Sequence, residues 1–192
     1  INIESLGGIL GGSEIHLNSW SIFFTVLSYI AAMNAMNMQD GMDGLAGGSS
    51  LITFTSIIFL AVFSNNYSGV LIAFLFCSVI PIFLIDNLCI GRASEHRIFM
   101  GDAGSMFLGF AIAYQLISSS QSDLKLFSPV IALWLFAIPL FDMIFTIFRR
   151  LLNNSSPFKP DTGHFHHILI QLGFTKKYTL IFILTISVLM AI

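Results

Sequence analysis

Charge is what this chain of 192 residues has least of: Asp, Glu, Lys and Arg make up 9% of it, against 56% apolar residues. Soluble domains carry about 25% charged residues, so a fully solvated globule is excluded and the chain reads as a membrane protein. Cysteine is nearly missing as well. Cys77 and Cys89 form no C-x-x-C pattern, which indicates neither a disulfide framework nor a thiolate metal site. No Lys or Arg stands in residues 1–19, so no basic segment of a signal peptide precedes the first apolar run. The net charge of -2 is spread over a few loops and gives no reason to expect a nucleic-acid partner. The chain opens on Ile1 rather than Met, and it is expected to be part of a longer polypeptide.

What is present is a set of apolar runs close to the roughly 20 residues that cross a hydrocarbon core as a helix, too long for barrel strands. The expected fold is all-α, a polytopic transmembrane helix bundle forming one integral membrane domain over residues 1–192. About six spans are expected, at residues 20–36, 44–63, 70–85, 103–118, 127–148 and 178–192, with Pro81 kinking the third and Pro139 inside the fifth. Residues 1–19, rich in glycine, suit a loop or short hairpin on the non-cytoplasmic side. Arg92 and Arg97 follow the third span, and Arg149, Arg150, Lys159, Lys176 and Lys177 follow the fifth, whereas Lys125 alone lies in an opposite loop. The positive-inside bias then makes the loops after spans one, three and five cytoplasmic. Those loops hold every polar island in the chain.

The first island is Asn37-Met38-Gln39-Asp40-Gly41-Met42-Asp43-Gly44-Leu45-Ala46-Gly47-Gly48. Its two carboxylates, three residues apart, share one side of a helical turn or meet in a glycine-rich turn, and repel unless a cation or basic group sits between them. Hard oxygen donors of this kind suit a Mg²⁺ shared with substrate phosphates; a polar turn that merely caps helices would use the same residues. Asp43 is the expected N-cap of the second span, whose positive end would face the island. The second island, around Gly101-Asp102-Ala103-Gly104-Ser105, repeats an Asp in a glycine setting at a helix start, again either a ligand-approaching backbone or a cap. Arg92 and Arg97 before it either grip phosphate or simply follow topology.

The third island runs through Lys159 to His164-Phe165-His166-His167. Histidines at this spacing fit one metal awkwardly, so a cradle in which imidazoles and Lys159 hold phosphates is preferred to a zinc site or a solvated loop. Asp142 stands seven residues before Arg149, two turns along one helix face. An intramembrane carboxylate is by default a site or a partner of a buried cation; a structural partnership is expected here.

In order and spacing, Asn34-Ala35-Met36-Asn37-Met38-Gln39-Asp40-Gly41-Met42-Asp43-Gly44-Leu45, Phe99-Met100-Gly101-Asp102-Ala103-Gly104-Ser105 and Ser156-Pro157-Phe158-Lys159-Pro160-Asp161 with His164-Phe165-His166-His167 resemble the polyprenyl-phosphate N-acetylhexosamine-1-phosphate transferases. The branch they look most like is the bacterial UDP-N-acetylglucosamine:undecaprenyl-phosphate enzymes of glycosyl transferase family 4. The resemblance implies Mg²⁺-dependent transfer of a sugar 1-phosphate from a UDP-N-acetylhexosamine to undecaprenyl phosphate, with Mn²⁺ an allowed substitute. It implies a multi-pass protein of the bacterial inner membrane with its site facing the cytoplasm, starting O-antigen, common-antigen or teichoic-acid linkage synthesis; a homodimer is compatible with it. Carried over, Asn37 and Asp102 would contact the metal, Asp40 and Asp43 would belong to the catalytic and nucleotide pocket, and Asn87 would match the family's Asn before the second motif. His164, His166 and His167 would line the pyrophosphate and sugar region, with Lys159, Arg92 and Arg97 as further substrate contacts. Two departures stand out. The family's Asp-Asp-x-x-Asp motif has no match before Asn34, so N-terminal spans are expected to be missing and the piece alone to be inactive; Thr162 stands where many members of the branch carry a basic residue. Competing readings are an inactive remnant or membrane scaffold and, more remotely, a secondary transporter, which would place its carboxylates near the midplane in paired inverted halves.

Overall fold

The computed structural model describes residues 1–8, 13–67, 69–91, 97–121, 125–156 and 163–191. Within them the chain is helical, the one β feature being an isolated bridge between Ser5 and His16. The helices are α1 (Ser21–Gln39), α2 (Leu45–Phe63), α3 (Leu71–Asn87), α4 (Gly101–Gln121), α5 (Pro129–Leu135), α6 (Ala137–Leu152), α7 (Phe165–Gln171) and α8 (Lys176–Ala191).

Small residues decide how closely these helices approach, as they do where lipid leaves no hydrophobic drive for association. Gly109 of α4 lies so near α1 that a Cβ there would stand 2.5 Å from the Ala32 carbonyl oxygen. Along this seam Ala35, Met36 and Ile112 are fully covered. At the start of α2, Gly44, Gly47 and Gly48 form a seat filled by Leu84 and Leu88 from α3's end and by Leu180 and Leu184 from α8. Further along α2, Phe54 stacks on Phe76 of α3 at 4.7 Å.

Among the described residues two stretches are long and apolar enough to cross a membrane, Asn18–Gln39 and Leu45–Phe63. They match the first two expected spans. The count of about six is not reached on length and apolarity: α3 is apolar but shorter, and the expected fifth span is two helices, α5 and α6, bent by 80°. Proline explains the break. Pro139 offers no N–H to the carbonyl four residues back and its ring crowds that carbonyl; the freed Leu135 oxygen instead accepts a 2.9 Å bond from the Thr53 hydroxyl of α2. Beyond the bend, α6 turns Asp142, Thr146 and Arg150 inward and leaves Phe141, Phe145 and Phe148 exposed, a distribution that suits lipid around it.

The chain's two ends of the bundle differ. At one, Glu4, Leu6 and Gly7 pair with Ile15 and Leu17 through backbone hydrogen bonds, the Glu4 and Ser5 amides donate to the Gln121 side-chain oxygen of α4 at 3.0 and 3.1 Å, and Glu14 meets Lys125 at 3.6 Å. At the other, the ends of α1 and α3, the starts of α2, α4 and α8, and α7 come together. All described residues of the polar islands lie there.

Candidate active site

The first island closes on the second through Asn37. In the last turn of α1, its Nδ2 donates to Asp102 Oδ1 at 3.0 Å and to Ser105 Oγ at 3.2 Å, in the first and second turns of α4. A carboxylate only accepts, so the carboxamide must turn its nitrogen this way and its oxygen is left for another partner. Asp40, directly after α1, receives the Gly101 backbone N–H at the start of α4. Burial raises the pKa of its carboxyl above the usual carboxylate range; the Gly101 amide works against this, and the charges of Asp102 and Asp43 push the same way as burial. Two acidic groups therefore crowd one spot.

Asp43 is not the cap of α2. The N-cap is Gly44, at φ +79° and without a side-chain bond, and Asp43 turns away to pair with Arg97 at 2.6 Å. Left-handed backbone at Gly44 costs little without a Cβ, and it points the Gly44 N–H at Asn87 Oδ1, 2.7 Å away. Asn87, 4% exposed, also donates from Nδ2 to the Ile98 carbonyl at 2.9 Å. One carboxamide thus ties the first island to the segment leading into the second. Arg97 is engaged twice, by Asp43 and by Cys89 Sγ at 3.5 Å, and those two partners, Cys89 first, raise its pKa.

The histidines arrive from the far end of the chain. His166, in α7, is 1% exposed and lies directly over Gly41, between the two aspartates of the first island: a Cβ at Gly41 would stand 3.1 Å from its Nε2. Both ring nitrogens are buried without a hydrogen-bond partner among the described residues. Such groups are costly unless something supplies the missing partners. Burial lowers the His166 pKa to about 4, helped by His167 and His164 and opposed by Asp142, so the ring is neutral near pH 7. Its neighbours are the His167 ring at 4.1 Å and the parallel His164 ring at 6.0 Å between centroids.

All of Asn37, Asp40, Asp43, Asn87, Arg97, Asp102, His164, His166 and His167 thus sit at one end of the bundle. Arg92 and Lys159 lie outside the described residues. Sequence reasoning missed Ser105, although it stands one turn after Asp102, and missed Thr146, four residues after Asp142 on the same face. It also gave Gly41 and Gly163 no role, because close approach leaves no local trace. A methyl group on Gly163 would coincide with the Arg149 guanidinium, whose Nη1 donates to the Gly163 carbonyl at 2.9 Å.

Residues 1–120 match the family model described as Glycosyl transferase family 4. The chain belongs to that family. The matched span contains the first two islands, and similarity to curated relatives carries on through the third. The chain is 37% identical over 190 residues to the undecaprenyl-phosphate alpha-N-acetylglucosaminyl 1-phosphate transferase of Escherichia coli K12, covering 98% of this chain and 51% of that protein. The protein of the same name from Yersinia pestis is 38% identical over 190 residues, 98% of this chain and 52% of the relative. The one from Haemophilus influenzae is 39% identical over 192 residues, 100% of this chain and 54% of the relative. The chain therefore spans about half the length of the curated relatives it matches.

The donor set in this family member fits a hard cation better than a soft one. Among the described residues no three of His, Cys, Asp and Glu come together as a cage. What the site offers is the crowded Asp40 and Asp102 with the Asn37 oxygen, a set suited to Mg²⁺, which commonly takes one or two carboxylates and shares the rest with phosphate and water.

Proposed function

We propose that this protein transfers N-acetylglucosamine 1-phosphate, or a closely similar N-acetylhexosamine 1-phosphate, from its UDP-sugar to undecaprenyl phosphate, releasing UMP at the cytoplasmic face of a bacterial inner membrane. The observation that carries the reading is the junction of three islands far apart in sequence: Asn37 on Asp102 at 3.0 Å, Gly44 on Asn87 at 2.7 Å, and His166 over Gly41. The family membership and the names of the relatives supply the reaction class, and the product is the first lipid-linked sugar of a cell-envelope glycan.

In this reaction an oxygen of the lipid phosphate attacks the sugar-bearing phosphorus of the diphosphate, that phosphorus loses its bond to the bridging oxygen, and UMP leaves with the electron pair. One phosphoanhydride replaces another, so alignment and charge neutralisation matter more than bond activation. A phosphomonoester with a second pKa of about 6 is already mostly dianionic at neutral pH, and a strong base is not required. Neutral His166 agrees with that. Its role is to hydrogen-bond phosphate or sugar oxygens beside Gly41, with His164 and His167 alongside it.

Asn37, Asp40 and Asp102 would hold Mg²⁺, which when bound neutralises diphosphate charge. Arg97 holds Asp43 in place and stays cationic near the phosphates. Next to the histidines a cavity of about 480 Å³ is lined by Phe141, Phe145, Phe148 and Ile168, with Asp142, Thr146 and Arg149 along its polar side. This is where the polyprenyl chain of the acceptor would enter from the bilayer. Membranes from cells expressing the full-length gene product, given UDP-[¹⁴C]N-acetylglucosamine and undecaprenyl phosphate, should accumulate labelled lipid in a Mg²⁺-dependent manner. Unlabelled lipid under those conditions would leave a scaffold role instead.

A further inference from the structure

Asp142 belongs to none of the three islands, yet its carboxylate is aimed at the third. It is 8% exposed on the inward face of α6. Oδ1 accepts the backbone N–H of Phe165, the first residue of α7, at 2.8 Å, so one helix supplies the N-terminal acceptor of another. Oδ2 lies 3.3 Å from His164 Nδ1, while the Thr146 hydroxyl, one turn along α6, lies 3.3 Å from the same nitrogen. Oδ2 is buried and has no other hydrogen-bond partner among the described residues. A ring proton at Nδ1 is the arrangement that keeps the acceptor-only carboxylate from facing a lone pair, and the Thr146 hydroxyl, donor and acceptor both, is compatible with it. Arg149, on the same helix, fixes the residue before, through the Gly163 carbonyl. Residues 163–165 are thereby clamped to α6 at successive points.

We infer that Asp142 is a positioning residue for the transfer: it holds His164 as the Nδ1–H tautomer and seats the start of α7, and so sets where His164 Nε2 points and how His166 stands over Gly41. The inference rests on the transferase reading for its kinetic consequence, but the tautomer it assigns does not. Asp and Asn have the same shape. In Asp142→Asn the carboxamide oxygen can still accept from Phe165, but its nitrogen, placed at His164 Nδ1, is a donor and selects the Nε2–H tautomer. Asp142→Glu keeps an acceptor at the cost of an extra methylene.

The test uses the full-length gene product in nanodiscs with ¹⁵N-labelled histidine. His164 is assigned by the signal that His164→Gln removes, and its tautomer is read from long-range ¹H–¹⁵N spectra, alongside UMP release at varied UDP-sugar. The expected result is Nδ1–H in the unaltered protein and in Asp142→Glu, Nε2–H in Asp142→Asn, and a kcat in Asp142→Asn lower by about 10–100-fold with KM within about twofold. Asp142→Glu should retain more kcat than Asp142→Asn. A purely structural capping role predicts the opposite order, the isosteric Asn being tolerated and the longer Glu not. An unchanged His164 tautomer in Asp142→Asn, or a kcat within twofold of the unaltered protein despite a changed tautomer, overturns the proposal. If the unaltered protein releases no UMP, the transferase reading fails, and the tautomer alone decides whether Asp142 sets His164.

Discussion

At the scale of single residues, the site is a set of contacts in which each polar group has a stated partner or conspicuously lacks one. Asp102 has Asn37, Asp43 has Arg97, and Asn87 has both Gly44 and Ile98. His166 has none among the described residues. Asp102→Asn keeps the size of the side chain but turns a charged acceptor into a neutral one facing Asn37; labelled lipid formation should fall by about 10²–10³-fold. Gly41→Ala puts a methyl against His166 Nε2 at a distance that forces the ring to give by a few tenths of an ångström, and the UDP-sugar KM should rise. The pH response of His166 follows from its pKa, about 4 in the fold against 6.5 ordinarily. Between those values the unfolded chain binds a proton that the folded chain does not, so stability falls as pH drops from about 6.5 to 4. Thermal unfolding across that window should show a decline that His166→Gln flattens. Sequence alone marked these histidines and aspartates because charge is so rare in this chain that each cluster stands out. It could not reveal that Asp43 abandons the α2 cap, since the competing partner, Arg97, is distant in sequence and a glycine next door took the unusual backbone.

At the scale of elements, the length of apolar runs located α2 nearly to the residue and α1, α3, α4 and α8 within a few. The fifth expected span shows why that signal ends where it does. Its composition is continuous, and Pro139 permits a break without dictating an 80° bend; the bend is stabilised by Thr53, on another helix, bonding the freed Leu135 carbonyl. Thr53→Val should therefore destabilise the protein by about 1–2 kcal/mol, by leaving a buried carbonyl without a donor, measurable as a lowered unfolding temperature. Helix α7 was hidden for a different reason. Seven residues inside a polar segment carry too little periodicity to distinguish a short helix from a loop, and its start is fixed by Asp142 of α6 rather than by its own sequence. The α1–α4 seam is likewise invisible locally: Gly109 looks like any membrane-helix glycine, but a side chain there meets backbone, not a movable group. Gly109→Ala should cost about 1–3 kcal/mol by overpacking, and because Asn37 and Asp102 ride on the two helices, the loss should extend to activity.

At the scale of the whole molecule, polar groups from α1, α3, α4 and α7 meet at one end of an apolar bundle, and the paired residues 4–7 and 15–17, with Glu14 and Lys125, lie at the other. The one-ended distribution was legible from the placement of Arg and Lys, because topology sorts loops by side before any contact is known. The crowding of Asp40 and Asp102 gives a divalent cation a thermodynamic effect independent of turnover: Mg²⁺ should raise the unfolding temperature, and Asp102→Asn should abolish the increment. The most direct measurement follows the phosphorus. With UDP-N-acetylglucosamine carrying ³²P at the sugar-linked phosphate, membranes containing the full-length gene product should move label into extractable lipid with one UMP released per labelled lipid, and Asp102→Asn membranes should not. Release of UDP with no ³²P in lipid, or an Asp102→Asn protein as active as the unaltered one, would contradict the account.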